Sequence, residues 1–250
     1  MNRVDWDNAW RAGATVCVPL PGSSAGSGRQ LFFSAEGRAM MRFMGGVIGI
    51  GLMFASAVAI AQEPESLVAE AAGDTRPLEV GAEAPDVELT RPDGTAIRLA
   101  DLHADRPLVI VFFRGSWCPF CNRHTQALAR VYPGIKEAGA ELIAVSPDNL
   151  TNTRDNVEKN EIPFPVYSDS SVAATKAFGL AFRVDDQTIE RYRGFGIDLE
   201  RASGYDHHAL PVPAVFIIDT DGKIAFAHSD PNYRVRLDAE KILEQVKELD

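Results

Sequence analysis

Two of the three cysteines in this 250-residue chain lie three positions apart, Cys118 and Cys121, inside the run Gly115-Ser116-Trp117-Cys118-Pro119-Phe120-Cys121. The thiolate is the reactive form of cysteine, and a sulfur at a helix N-terminus is helped to ionise by unpaired backbone N–H groups and the positive end of the helix dipole. Pro119 suits the first turn of a helix, where its missing N–H costs nothing. Cys118 is therefore expected at a helix N-terminus, with Cys121 nearly one turn on and able to close a small disulfide ring. Such a pair can form and resolve a mixed disulfide. Trp117 is expected to shield the reactive sulfur and touch substrate, or simply to pack.

The same spacing also suits half of a zinc site, which needs four ligands. No second Cys-x-x-Cys pair exists, but His124 falls one further turn along the same helix and His207 or His208 could approach. Copper or zinc handling by Cys118, Cys121 and these histidines is kept as an alternative; the main reading has no metal and no cofactor. A purely structural disulfide is disfavoured, because so small a loop constrains little unfolded-chain entropy.

The elements that must position this pair follow from periodicity. Residues 108–113, Leu-Val-Ile-Val-Phe-Phe, form a continuous apolar run of β-formers, as in a central strand covered on both faces, and lead directly into the motif. Leu128, Val131, Tyr132 and Ile135 continue at helical spacing to Gly139. Strands are expected at 87–90 and 95–99 around the turn Arg91-Pro92-Asp93-Gly94, then at 141–146, 163–167, 215–219 and 224–228, the last two joined across Thr220-Asp221-Gly222-Lys223. Helices are expected at 148–160, capped near Asn149 or Thr151, at 171–178 and at 238–249. The order implies an α/β fold, a mixed central sheet flanked by helices. Residues 183–205, with Gly194-Phe195-Gly196, read as a solvated loop, or as an inserted lid or partner surface.

Residues 47–61 are apolar, preceded by Arg38 and Arg42, and end in Ala59-Ile60-Ala61 before Gln62-Glu63-Pro64, the small-x-small signature of a secretory signal. A signal should start near the first residue, so translation is expected to begin at Met40 or Met41. Residues 1–39 then form an upstream extension and 40–61 a signal peptide; an uncleaved membrane anchor is the alternative. Residues 62–77 read as a linker and 78–250 as the domain. Cys17 would be lost with the leader. The formal net charge of −10 argues against a nucleic-acid partner, which needs clustered Lys and Arg. The expected location is periplasmic or otherwise exported, with the membrane met only through the signal or anchor.

With residues 112–121, Phe-Phe-Arg-Gly-Ser-Trp-Cys-Pro-Phe-Cys, and 212–219, Val-Pro-Ala-Val-Phe-Ile-Ile-Asp, the chain resembles the alkyl hydroperoxide reductase and thiol-specific antioxidant (peroxiredoxin-like) family of the thioredoxin superfamily. Gly81-Ala82-Glu83-Ala84-Pro85 and Leu142-Ile143-Ala144-Val145-Ser146-Pro147-Asp148 add to the likeness. The resemblance implies a thioredoxin-like fold, catalytic Cys118 and Cys121 supported by Trp117 and Pro119, and Pro213 as a cis proline packed against the pair; a trans edge-strand proline is the plainer reading. It also implies a thioredoxin-like electron donor.

The departures bear on the reaction. The family resembles Pro-x-x-x-Thr-x-x-Cys around its peroxide-reactive cysteine; matching that cysteine to Cys121 puts Arg114 at the proline, Cys118 at the threonine and Pro213 where an active-site arginine is usual. Arg114 or Arg183 could substitute for that arginine, although both read first as exposed charges. His207 and His208 likewise read as loop histidines that could line the site. Two oxidoreductase readings follow: thiol-dependent reduction of hydroperoxides through a sulfenic acid and a disulfide, or reduction of protein disulfides through a mixed disulfide.

Overall fold

The computed structural model describes residues 67–249. The expected translation start, the signal peptide, Cys17 and the first part of the linker lie outside them. Seven strands form one mixed sheet in the order β2-β1-β5-β4-β3-β8-β9: β1 (Glu88–Thr90), β2 (Ala96–Arg98), β3 (Leu108–Phe112), β4 (Glu141–Ser146), β5 (Val166–Ser168), β8 (Ala214–Ile218) and β9 (Ile224–Ser229). The connections follow the alternating pattern expected of an α/β chain. β3, β4 and β5 are parallel neighbours, while β8, β9, β1 and β2 join antiparallel.

β3 is buried along its whole length because both of its faces are covered. Side chains alternate across a strand, so Val109 and Val111, continued by Phe113, face one layer with Leu128, Ile135, Ile242 and Val246. Those partners come from α2 (Pro119–Glu137) and α7 (Ala239–Lys247). Leu108, Ile110 and Phe112 face the opposite layer with Leu99, Phe178 and Phe216, where the Phe178 ring lies 4.9 Å from Phe112 and 5.0 Å from Phe216. Leu99 opens α1 (Leu99–His103), a short helix where the sequence suggested only the end of a strand. α3 (Leu150–Lys159) begins as expected, with Asn149 accepting the Asn152 N–H at 2.9 Å.

Two expectations are corrected away from the sheet. The part of the linker within the described residues, 67–77, is docked rather than loose: the Ala69 N–H donates to Ala181 O at 2.9 Å and the Arg76 N–H to Gly179 O at 3.1 Å. Gly179, at φ +70°, permits this approach, since a Cβ there would overlap the Arg76 carbonyl. The region read as a solvated loop is also ordered. It runs from β6 (Ala181–Arg183) through α5 (Asp186–Gly194) and α6 (Leu199–Ser203) to β7 (Ala209–Pro211), and β6 pairs antiparallel with β7. Val184, Ile189, Leu199 and Leu210 form a small core of their own, against which Trp117 and Tyr192 pack. That core anchors a wall beside the cysteine motif, and α4 (Ala173–Ala177) precedes it in the chain.

Candidate active site

Cys118 is the residue that caps the N-terminus of α2 and Pro119 follows as the first helical residue, as the motif implied. The loop from β3 is fixed at several points. The Cys118 N–H donates to Gly115 O at 3.1 Å, Asn122 Nδ2 donates to Ser116 O at 2.9 Å, and the Ser116 N–H donates to Asp148 Oδ2 at 2.7 Å. Gly115, at φ +146°, is required here, because a Cβ would strike the Trp117 indole nitrogen and come within 3.0 Å of Asp148 Oδ1. Asp148 stands just past β4, is 1% exposed, and also accepts from Ser146 Oγ at 3.1 Å. Burial, only partly offset by these bonds, pushes its carboxyl up to about 6.

Both cysteines are free thiols within the protein, and their surroundings pull them apart. A hydrogen bond from Cys121 is the largest influence on Cys118; with the Cys121 backbone N–H and the charges of Arg114 and Arg236 it brings that thiol down to about 6 despite burial. Cys121 is driven well above the ordinary thiol range, first by burial and then by the neighbouring Cys118. Cys118 is thus thiolate at neutral pH and Cys121 its protonated partner. Arg236 Nη2 donates to Cys121 Sγ at 3.4 Å.

Cys118 lines a groove of about 820 Å³, with walls that include Trp117, Phe120, Arg183, Tyr192, Pro213 and Tyr233. Arg114, expected as an exposed charge, is instead 3% exposed. Its guanidinium carbon sits 4.2 Å from the Tyr233 ring centroid, 5.1 Å from Trp117 and 5.6 Å from Tyr192, and one Nη donates to the Tyr192 hydroxyl. Aromatic faces stabilise a cation, which keeps this charge beside Cys118. Arg183 also lines the groove.

Pro213 is in the groove wall ahead of β8, but its peptide bond is trans; no cis bond occurs among the described residues. The chain arrives extended from β7, with the Val212 N–H held by Leu180 O at 2.9 Å, so no tight turn is needed there. The histidines are otherwise engaged. His124 is buried, donates from Nε2 to Leu237 O at 3.1 Å, and is lowered to about 4, chiefly by burial. His207 donates to Ser170 O at 2.9 Å and His208 to Glu200 Oε1 at 2.9 Å. Both are half-buried and share a water-sized cavity with Arg114 and Trp117, so neither is a free loop histidine. Among the described residues no three His, Cys, Asp or Glu side chains gather as a metal site.

Asp148, Tyr192, Tyr233 and Arg236 were not singled out from the sequence as site residues. Asp148 alone carried a signal, as the last residue of the Ser-Pro-Asp segment that follows β4. The other three reach the site through distant parts of the chain.

Comparison with known proteins bears on the family and the fold. Residues 80–227 match the AhpC/TSA family. A thiol-disulfide oxidoreductase ResA of Bacillus thuringiensis subsp. konkukian is 28% identical over 148 residues, 59% of this chain and 68% of that protein. A putative chloroplastic peroxiredoxin Q of Oryza sativa subsp. indica is 31% identical over 100 residues, 40% of this chain and 46% of that protein. The crystal structure of peroxidoxin BcpB from Mycobacterium tuberculosis superposes with a TM-score of 0.54 at 21% identity, covering 69% of this chain and 99% of that one. The α/β, thioredoxin-like fold implied by the resemblance is therefore the fold observed.

Proposed function

The chain belongs to the AhpC/TSA family and is a thiol-dependent oxidoreductase, and from that footing we propose that it reduces hydroperoxides through a Cys118/Cys121 dithiol cycle. The observation that carries this reading is an acidified sulfur lining an open groove, beside a buried guanidinium and within reach of a second thiol.

The Cys118 thiolate attacks the terminal oxygen of the hydroperoxide: an S–O bond forms, the O–O bond breaks, and the departing alkoxide takes a proton to leave as alcohol. Arg114 is the cation placed to steady the charge moving onto oxygen. Cys121, losing its proton, attacks the Cys118 sulfenic acid; water leaves and the disulfide closes. A thioredoxin-like dithiol donor then supplies two electrons and two protons and restores both thiols. Trp117 and Pro213 shape the groove, and Pro119 sets the helix start. Residues 40–61 are read as the leader of an exported, periplasmic protein, supported by their apolar run and the Ala59-Ile60-Ala61 sequence.

One observation favours a second reading, protein-disulfide reduction. The acidified, groove-lining sulfur is Cys118, whereas the family's peroxide-reactive position falls on the more deeply placed Cys121. Steady-state assays with hydrogen peroxide, an organic hydroperoxide and a disulfide-bonded protein, each coupled to a thioredoxin-like reducing system, separate the two. Peroxide turnover well above that of a free thiol, absent in Cys118→Ser, is expected. Peroxide turnover no faster than a free thiol, with rapid protein-disulfide turnover, transfers the assignment to the reductase.

A further inference from the structure

We infer that Arg236 is a catalytic residue of the second sulfur: its guanidinium holds Cys121 as a thiolate whenever that sulfur must close or open the disulfide. This rests on the dithiol reading above and extends it to a residue 115 positions from Cys121.

The geometry is specific. Arg236 lies between β9 and α7, and its Nη1 donates to the carbonyls of Tyr233 and, at 2.7 Å, Val235. Those two bonds aim the fork, and Nη2 reaches Cys121 Sγ at 3.4 Å. A neutral thiol is a weak acceptor and a thiolate a strong one, so the contact strengthens as charge develops on sulfur. The charge is also uncommitted. Among the described residues Arg236 forms no salt bridge, and the cavity of about 10 Å³ that it lines with His124 and His228 has no acidic residue in its wall. Cys121 is the sulfur that needs such help, because besides Arg236 the charges that act on it are the Cys118 thiolate and the Asp148 carboxyl, both of which oppose a second anion. Like Cys118, Cys121 is 1% exposed and packed in the apolar layer beneath α2, where an isolated anion is strongly disfavoured, but unlike Cys118 it does not line the groove. The family's usual arginine position is occupied here by Pro213, and the cation that touches Cys121 comes from the segment after β9, at the same open end of the hairpin, where Arg236 and Pro213 line one small cavity.

Two steps use this contact. When the disulfide closes, the Cys121 thiol gives its proton to solvent and its electron pair forms the bond to Cys118 sulfur, expelling whatever group Cys118 carries. When a dithiol donor attacks Cys118, the Cys118–Cys121 bond breaks and its electron pair departs on Cys121. Lower basicity of that sulfur makes it a faster leaving group.

An aromatic disulfide, dithiobis(nitrobenzoate), tests this without assuming the natural substrate. Reduced Cys118 attacks it and releases one chromophoric thiolate; Cys121 then attacks the mixed disulfide and releases the second, so two phases report the two sulfurs separately. In Arg236→Gln the second phase should slow about tenfold at neutral pH and its pH profile should move upward by about one unit, the lower end of what an adjacent opposite charge supplies. The first phase should move less. Arg236→Lys, which keeps the charge, should recover part of the shift. A folded Arg236→Gln whose second phase keeps the native rate and midpoint overturns the inference, as does a uniform loss in both phases without a midpoint change, which marks a structural role. If Arg236→Gln does not fold, Arg236→Met is measured against the same outcomes. Native protein showing no second release means the dithiol reading itself has failed; native protein showing it with an unmoved variant means only Arg236 was misassigned.

Discussion

Cys118 and Cys121 stand one helical turn apart and have opposite surroundings. On the groove side, Cys118 receives a hydrogen bond from its partner and has the Arg114 charge beside it, held by Trp117, Tyr192 and Tyr233. On the inner side, although both sulfurs join the layer beneath α2 and are 1% exposed, Cys121 does not line the groove and has a single guanidinium nitrogen on its sulfur. Identical chemical groups thus become an acidified nucleophile and a protonated partner through placement alone. The order in which they react is set by depth and charge.

The strongest way to break this comparison is to remove each sulfur in turn. Cys118→Ser should lower turnover on the order of 10⁴-fold or more, as when a nucleophile is deleted. Cys121→Ser should also stop steady-state turnover, yet keep a single stoichiometric reaction at Cys118. Rapid-mixing experiments with one equivalent of oxidant distinguish the two, and a reactive Cys118→Ser beside an inert Cys121→Ser would reverse the roles. A finer cut is Cys121→Ala, which deletes the largest influence on Cys118. Alkylation by iodoacetamide should titrate with a midpoint near 6 in the native chain; in Cys121→Ala the midpoint should move up toward the ordinary thiol range. An unchanged midpoint would assign the acidity to Arg114 and the helix terminus instead.

The legible parts of this site were the local ones. The spacing of the two cysteines, Pro119 and the apolar run before them placed Cys118 at the start of α2, because a strand, a loop and a helix N-terminus are contiguous in sequence. The hairpin of β8 and β9 and the Asn149 cap were readable for the same reason. The rest of the site is assembled by tertiary contact. Asp148 reaches Ser116 across 32 positions, Tyr192 reaches Arg114 across 78, and Arg236 reaches Cys121 across 115. No periodicity marks such residues. α5 and α6 were hidden because their segments are mostly polar and each turns only one or two apolar residues inward; Ile189 and Leu199 become core only once Trp117 and Leu210 cover them. Arg114 looked exposed because a lone arginine usually is, and three aromatic rings from separate segments make it otherwise.

Asp148 extends the comparison to stability, since it fixes the loop shared by both sulfurs. Its carboxyl titrates near 6 in the folded chain, against about 3.9 when unfolded. Between those values the unfolded chain releases a proton that the native chain keeps. Asp148 should therefore withdraw on the order of 3 kcal/mol of native stability as pH rises from about 4 to about 6, at about 1.4 kcal/mol per unit, while His124, lowered to about 4 by burial, adds a comparable amount over the same range, so that the two slopes largely cancel in the native chain. Asp148→Asn, which keeps an acceptor for the Ser116 N–H, should remove the falling contribution and leave stability rising with pH across that window. Urea unfolding midpoints at several pH values test this: parallel curves for the two chains would show that Asp148 ionises freely and that burial does not govern it.

The smallest expected effect probes how Arg114 acts on the groove side. Tyr192→Phe removes the hydroxyl that accepts from the guanidinium but leaves the ring, and the other two rings, in place. If Arg114 influences Cys118 through its charge, losing one acceptor should cost roughly 1 kcal/mol of stability, the usual worth of a single hydrogen bond, while the Cys118 alkylation midpoint stays close to native. A marked rise in that midpoint would mean that the hydroxyl, by fixing the angle of the fork, is what brings the charge to bear on sulfur. The groove side would then resemble the inner side, where the Arg236 guanidinium supplies the charge and the carbonyls of Tyr233 and Val235 supply its aim.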